Sequence, residues 1–90
     1  MAAVITPVGM VADIAPENKH FFTRLELCGI IGTDNPVVIP ATVKGIKMAF
    51  VYNGSGVSNN NLASELLHLA KGKEALKDTV LVCRRNEIIK

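Results

Sequence analysis

The segment between residues 46 and 85 constrains the fold of this 90-residue chain more than any other. It begins with the apolar residues Ile46–Tyr52 and enters a glycine-containing turn, Asn53–Gly56. A polar stretch, Ser58–Asn61, then opens a leucine-rich helical pattern, and the β-branched segment Thr79–Cys83 follows it. The pattern predicts a strand, a turn, a helix and a second strand, in that order.

The clearest helix of the chain is predicted at about residues 61–71. Its leucines recur at helical spacing, at Leu62, Leu66 and Leu69. Either Asn60 or Asn61 can supply the side-chain oxygen that caps the first turn. Gly72 follows the pattern at a position suited to ending a helix. We therefore expect one main helix with an apolar face turned toward a sheet.

Three further segments have strand character. Phe21–Ile31 alternates between apolar and polar residues, which favours a half-buried strand. Val37–Lys44 contains Pro40, which cannot donate to a strand neighbour and so predicts an edge or a bend. Ile46–Tyr52 is apolar on both faces toward its end, which predicts a central strand covered on both sides.

These elements predict an α+β fold in a single domain spanning residues 1–90. We expect a mostly antiparallel sheet of four to five strands in the order β-β-β-β-α-β, with the helix packed on one face. Residues 1–14 contain Pro7 and Gly9, which predicts an edge strand or an arm exchanged with a neighbouring subunit. A right-handed crossover would set the last strand parallel to Ile46–Tyr52.

Composition favours self-association. Hydrophobic residues make up 49 % of the chain, and most are Val, Ile, Leu and Ala. So short a chain has little interior in which to bury that aliphatic surface, which favours a homo-oligomer. Cys28 and Cys83 show neither CxxC spacing nor a disulfide-rich pattern, which predicts two buried thiols in a reducing cytoplasm. No apolar run approaches the ~18 residues that cross a bilayer, so we expect a cytoplasmic protein without a membrane partner.

The turn before the helix is the candidate ligand site. Glycine allows a positive φ and a close approach to a ligand, and a helix N-terminus offers N–H groups to an anion. The candidate residues are Asn53, Gly54, Ser55, Gly56, Ser58 and Asn59. Their spacing matches neither the GxGxxG nor the GxxxxGK[ST] pattern. An ordinary surface connection explains the same composition.

Other chemistry-bearing residues stand apart from one another in the sequence. His20 and His68 lack further ligands at metal-binding spacing, so we predict no metal site, no cofactor and no catalytic residues. The net charge is only +2, but residues 44–90 hold eight basic and four acidic side chains. Arg84 and Arg85 could contact a phosphate backbone. A solvated surface explains these charges equally well.

Three functional hypotheses follow, none of them an enzyme. The first is a small structural or protein-interaction module that self-associates. The second is a binding module for a small anion at the Gly54–Ser58 loop and the helix N-terminus. The third is a weak nucleic-acid binder that uses the basic C-terminal half.

Overall fold

Five strands and two helices make up the part of the chain that the computed structural model describes, which is residues 2–17, 20–69, 72 and 76–88. In chain order they are β1 (Ala2–Ile5), β2 (Val11–Ile14), α1 (Arg24–Ile31), β3 (Pro36–Val43), β4 (Ile46–Asn53), α2 (Asn61–Leu69) and β5 (Val80–Arg84), and a short 3-10 helix (Arg85–Glu87) follows β5. The strands form one sheet in the order β2-β1-β5-β4-β3, and every neighbouring pair is antiparallel.

The predicted α+β class, with one antiparallel sheet and one main helix, is confirmed. The main helix is α2, which ends at Leu69; residues 70 and 71 of the predicted helix lie outside the described residues. The strands predicted at 37–44, 46–52 and 79–83 correspond to β3, β4 and β5.

The last strand does not run parallel to β4, as a crossover would require. Ala49 of β4 lies opposite Cys83 of β5 in an antiparallel pair. The beginning and the end of the connection between the two strands lie side by side, because the Asp78 N–H donates to the Ser58 carbonyl at 2.7 Å. The chain therefore re-enters the sheet at the end where β4 left it.

The prediction of a strand at Phe21–Ile31 is wrong, because most of this segment forms the helix α1. Thr23 Oγ1 accepts the Glu26 N–H at 3.2 Å, and the Glu26 carboxylate accepts the Thr23 N–H at 3.1 Å. This reciprocal capping box satisfies donors at the start of a helix and outweighs a short apolar alternation. The element order is therefore β-β-α-β-β-α-β rather than β-β-β-β-α-β.

Both ends of α1 are specified by local sequence. Phe22 precedes the N-cap and is buried in the same apolar cluster as Leu27, in the arrangement called a hydrophobic staple. Gly32 ends the helix with φ 79°, and its N–H donates to the Cys28 carbonyl at 2.8 Å. A left-handed glycine at this position is a common helix C-terminus.

Residues 2–14 form a hairpin on the chain's own sheet. The Gly9 N–H donates to the Thr6 carbonyl at 3.0 Å, and the Thr6 N–H donates to the Met10 carbonyl at 2.9 Å. Gly9 has φ 88°, which glycine adopts at low cost. Pro7 and Gly9 therefore build the turn between β1 and β2, and β2 is an edge strand.

The sheet is covered on both faces, with β4 inside it. Ala49 and Val51 of β4 lie in one apolar cluster with the buried residues of α1. Phe50 lies in a second cluster with Ala63 and Leu67 of α2. The prediction of a central strand buried on both sides is confirmed for β4. The face for which no helix was predicted is covered by α1.

Asn60 is the N-cap of α2 and is fully buried. Its Oδ1 accepts the Ala63 N–H at 3.1 Å. Its Nδ2 donates to the Ile5 carbonyl at 2.8 Å and to the Asp78 carbonyl at 2.7 Å. A buried amide is stable only when its polar atoms are paired, and this one meets that requirement.

Candidate functional site

The loop predicted to bind an anion joins β4 to α2 and is held by its own hydrogen bonds. Asn53 Oδ1 accepts the Ser55 N–H at 2.9 Å, and the Asn53 carbonyl accepts the Gly56 N–H at 3.0 Å. Asparagine side chains commonly close turns in this way. Two of the N–H groups that an anion would need are thus already paired within the loop.

The chain places a carboxylate of its own against this loop. Asp78 Oδ1 accepts the Ser58 N–H at 3.1 Å. A Cβ added at Gly56 would lie 2.7 Å from Asp78 Oδ2, so the glycine allows the carboxylate to approach the backbone. An incoming anion would have to displace this group and overcome its like charge.

The two glycines of the loop provide space rather than an unusual backbone conformation. Neither Gly54 nor Gly56 has a positive φ, the property on which the sequence interpretation relied. A Cβ added at Gly54 would lie 3.0 Å from Val37 Cγ2. Asn59 Oδ1 accepts from Lys77 Nζ at 2.7 Å. The six candidate residues are therefore brought together in one loop, and anion binding there stays a prediction.

One open edge of the sheet is β3, and prolines blunt it. The turn Lys44–Gly45 has φ 51° and 82°, the type I′ geometry, so Val43 and Ile46 form the hydrogen-bonded pair beside it. Along β3 the backbone N and C=O groups of successive residues point alternately toward β4 and away from it. The nitrogens of Pro36 and Pro40 are therefore turned toward solvent. Proline has no N–H at these positions. The edge predicted from Pro40 is confirmed, and only two of its four outward positions, Val38 and Thr42, offer a donor to another strand.

The other open edge is β2, and no proline protects it. Thr6 and Met10 form the hydrogen-bonded pair beside the hairpin turn. Backbone groups of successive residues point to opposite sides of a strand. Val11 and Asp13 therefore turn their N–H and C=O groups outward, while Ala12 and Ile14 turn theirs to β1. β2 is exposed over Val11–Asp13, and Asp13 is its one charged residue.

Exposed apolar side chains lie next to this unprotected edge. Val8 is 81 % exposed, Met10 68 % and Val11 57 %. They are close in sequence, at the turn and the start of β2. Isolated exposed apolar residues are ordinary, but a group of them beside unpaired backbone groups is typical of an interaction surface.

A second apolar surface lies beside α2. Leu62, Leu66 and Leu69 line an open depression of about 420 Å³. Leu66 also borders a smaller depression of about 190 Å³, with Ile46 and Met48 on the sheet side. The apolar face of α2 is therefore only partly covered by the sheet.

The two arginines considered for nucleic-acid contact behave differently. Arg84 is exposed. Arg85 is half-buried, its Nη2 donates to the Ala41 carbonyl at 3.3 Å, and its buried Nε has no hydrogen-bond partner among the described residues. Lys71 and Lys73 of the basic half lie outside the described residues. Nucleic-acid binding stays a prediction.

Both cysteines are free thiols. Cys83 is buried in β5, as predicted, and burial raises the pKa of its thiol to about 12, with a further contribution from the negative charge of Glu87. Cys28 is half-buried and lies on α1 rather than in the predicted strand. Among residues 2–17, 20–69, 72 and 76–88, no three His, Cys, Asp or Glu side chains are grouped so as to hold a metal ion.

The residues of the β2 edge were missed by sequence reasoning. In the sequence, Pro7 and Gly9 interrupt an apolar segment that favours one irregular strand, and nothing in that pattern distinguishes Val11 and Asp13. A proline followed two residues later by glycine, between two apolar runs, is a turn signal that would have divided the segment into a hairpin.

Neither helix in the described part of the chain has the length and hydrophobicity needed to cross a bilayer. No protein-family model matches the chain, and no curated protein or solved structure is significantly similar to it.

Proposed function

We propose that this protein is a small structural or interaction module whose copies associate with one another. The observation that carries the proposal is the exposed edge of β2. There the backbone groups of Val11 and Asp13 point away from β1, pair with no other strand in the described part of the chain, and lie beside exposed apolar side chains. Such an edge is a template for another strand.

The energetics favour covering this edge. Apolar area removed from water contributes about 25 cal/mol per Å², and Met10 and Val11 keep most of theirs exposed in the single copy. Pairing would also satisfy backbone groups that now depend on water. The aliphatic excess of the composition supports the same proposal, because a single copy leaves part of it exposed.

Sedimentation equilibrium at several concentrations tests self-association. At tens of micromolar we expect twice the chain mass of 9.6 kDa, or a larger multiple. Val11→Lys should reduce the mass to that of one chain, because lysine on an edge strand opposes pairing. Val38→Lys is the matched control on the other edge and should leave the mass unchanged. A wild-type protein with the mass of one chain at these concentrations would refute the proposal.

A further inference from the structure

We infer that two copies pair through β2, antiparallel and around a two-fold axis at Ala12, so that one sheet continues through both copies. The inference rests on the proposed self-association and specifies its surface, its partner and its register. It is carried by the contrast between the two edges: β3 lacks donors at Pro36 and Pro40, and β2 is open.

The geometry of an antiparallel pair leaves few registers. A two-fold axis between identical strands sets one residue opposite its own copy, and residues opposite one another share a face of the sheet. For the short strand β2 the axis can pass through Val11, Ala12 or Asp13. The outward direction of the backbone groups distinguishes the three.

The register centred on Ala12 uses the edge most fully. It sets Val11 opposite Asp13 of the second copy, and both residues turn their N–H and C=O groups outward. A hydrogen-bonded pair then forms on each side of the axis. An axis at Val11 would set Asp13 opposite the turn residue Gly9 of the second copy, and an axis at Asp13 would set two carboxylates opposite one another, which is repulsive.

Side chains on one face of the sheet support the same register. Met10, Ala12 and Ile14 alternate with the outward residues and share the face on which Ile14 packs against the α1 cluster. In the register centred on Ala12, Met10 lies opposite Ile14 of the second copy, and Ala12 lies opposite Ala12. When two copies of this row run in opposite directions, every apolar side chain meets another apolar side chain. This match favours a second copy over an unrelated strand.

The blunted edge also predicts where assembly stops. If β2 of one copy paired with β3 of the next, the contact would repeat and build an open filament. Pro36 and Pro40 oppose that contact because they remove donors from β3. Pairing of β2 with β2 uses the open edge of both copies and leaves only blunted edges outside. The expected assembly is therefore a closed dimer.

Disulfide formation between introduced cysteines tests the register. All variants carry Cys28→Ala, which removes the partly exposed native thiol. Cys83 is kept because it is buried and its thiol pKa is raised to about 12. Single variants Ala12→Cys, Val11→Cys and Asp13→Cys are oxidised with glutathione disulfide. Thr42→Cys, an exposed position on β3, is the matched control for the other edge. Circular dichroism of each variant shows that the fold is retained.

We expect Ala12→Cys to form a covalent dimer on the order of tenfold faster than the other three variants, because the Cα atoms of a directly opposed, non-hydrogen-bonded pair lie about 4.5 Å apart, within the range of about 4.4–6.8 Å that a disulfide spans. Fastest linkage at Val11→Cys or Asp13→Cys would overturn the register. Fastest linkage at Thr42→Cys would overturn the choice of edge, and equal rates at all four would indicate random collision. A wild-type dimer by mass with any of these three results leaves the proposed self-association intact: the first overturns only the register, and the other two overturn the β2 surface.

Discussion

The buried side-chain amide of Asn60 donates to the main-chain carbonyl of Ile5 at 2.8 Å, across 55 positions of sequence. The same nitrogen donates to the Asp78 carbonyl, and the side-chain oxygen caps α2. Asn60 thereby joins the end of β1, the start of α2 and the turn before β5. These three elements meet at one end of the sheet.

Asn60→Ala should lower the free energy of unfolding by about 2–4 kcal/mol, because it removes a helix cap and takes a donor from the Ile5 and Asp78 carbonyls. Urea denaturation measures the change. Asn59→Ala is the matched control, since Asn59 is exposed, and it should cost less than about 0.5 kcal/mol. Equal losses in the two variants would contradict the role given to Asn60.

Gly29→Ala should raise the free energy of unfolding by about 0.5–1 kcal/mol. Gly29 is exposed within α1, and an added Cβ meets no atom within 4 Å. Gly32→Ala is the contrasting variant and should destabilise, because Gly32 has φ 79°. Urea denaturation of both variants tests whether Arg24–Ile31 is a helix, and a loss of stability in Gly29→Ala would count against it.

The two helices show what sequence patterns can and cannot predict. α2 was predicted because Leu62, Leu66 and Leu69 repeat at helical spacing and an asparagine precedes them. α1 spans only Arg24–Ile31, so its apolar period is short and resembles strand alternation. Its identity depends on the capping pair formed by Thr23 and Glu26, a local signal that periodicity does not contain.

The two candidate sites, the Asn53–Asn59 loop and the β2 edge, also differ in how far the sequence predicts them. Asn53–Asn59 was found because its composition is visible in the sequence, but the carboxylate that packs on it comes from Asp78, 20 positions beyond Ser58. The openness of β2 depends on strand order, which the sequence does not reveal. Val11 lies at an edge because β5 pairs with the far side of β1 and not with β2.

Only one thiol should react quickly in the folded protein. Cys83 is buried and its thiol pKa is raised to about 12, so it stays protonated and inaccessible at pH 8. Cys28 is partly exposed. With Ellman's reagent we expect one rapid thiol per chain, and a second one on addition of urea. Two rapid thiols in the absence of urea would contradict the burial of β5.

Stability should depend on the ionisation of Glu26. The backbone N–H of Glu17, and then that of Thr23, hold the pKa of the Glu26 carboxyl below its usual value of 4.5. A lowered pKa in the folded state adds stability above about pH 4.5, and that stability is lost as the pH falls through the folded-state value. Glu26→Gln should therefore be less stable than the wild type at neutral pH, with a difference that shrinks in acid. A difference that is independent of pH would contradict this.

Amide hydrogen exchange of the wild-type protein as a function of concentration tests most directly whether the β2 edge is where copies meet. Val11 and Asp13 turn their N–H groups outward from β2, and Val38 and Thr42 do so from β3. We predict that the protection of Val11 and Asp13 rises as concentration increases through the dimerisation range, while that of Val38 and Thr42 stays constant. Protection that rises at Val38 and Thr42 instead, or at neither pair, would contradict the account.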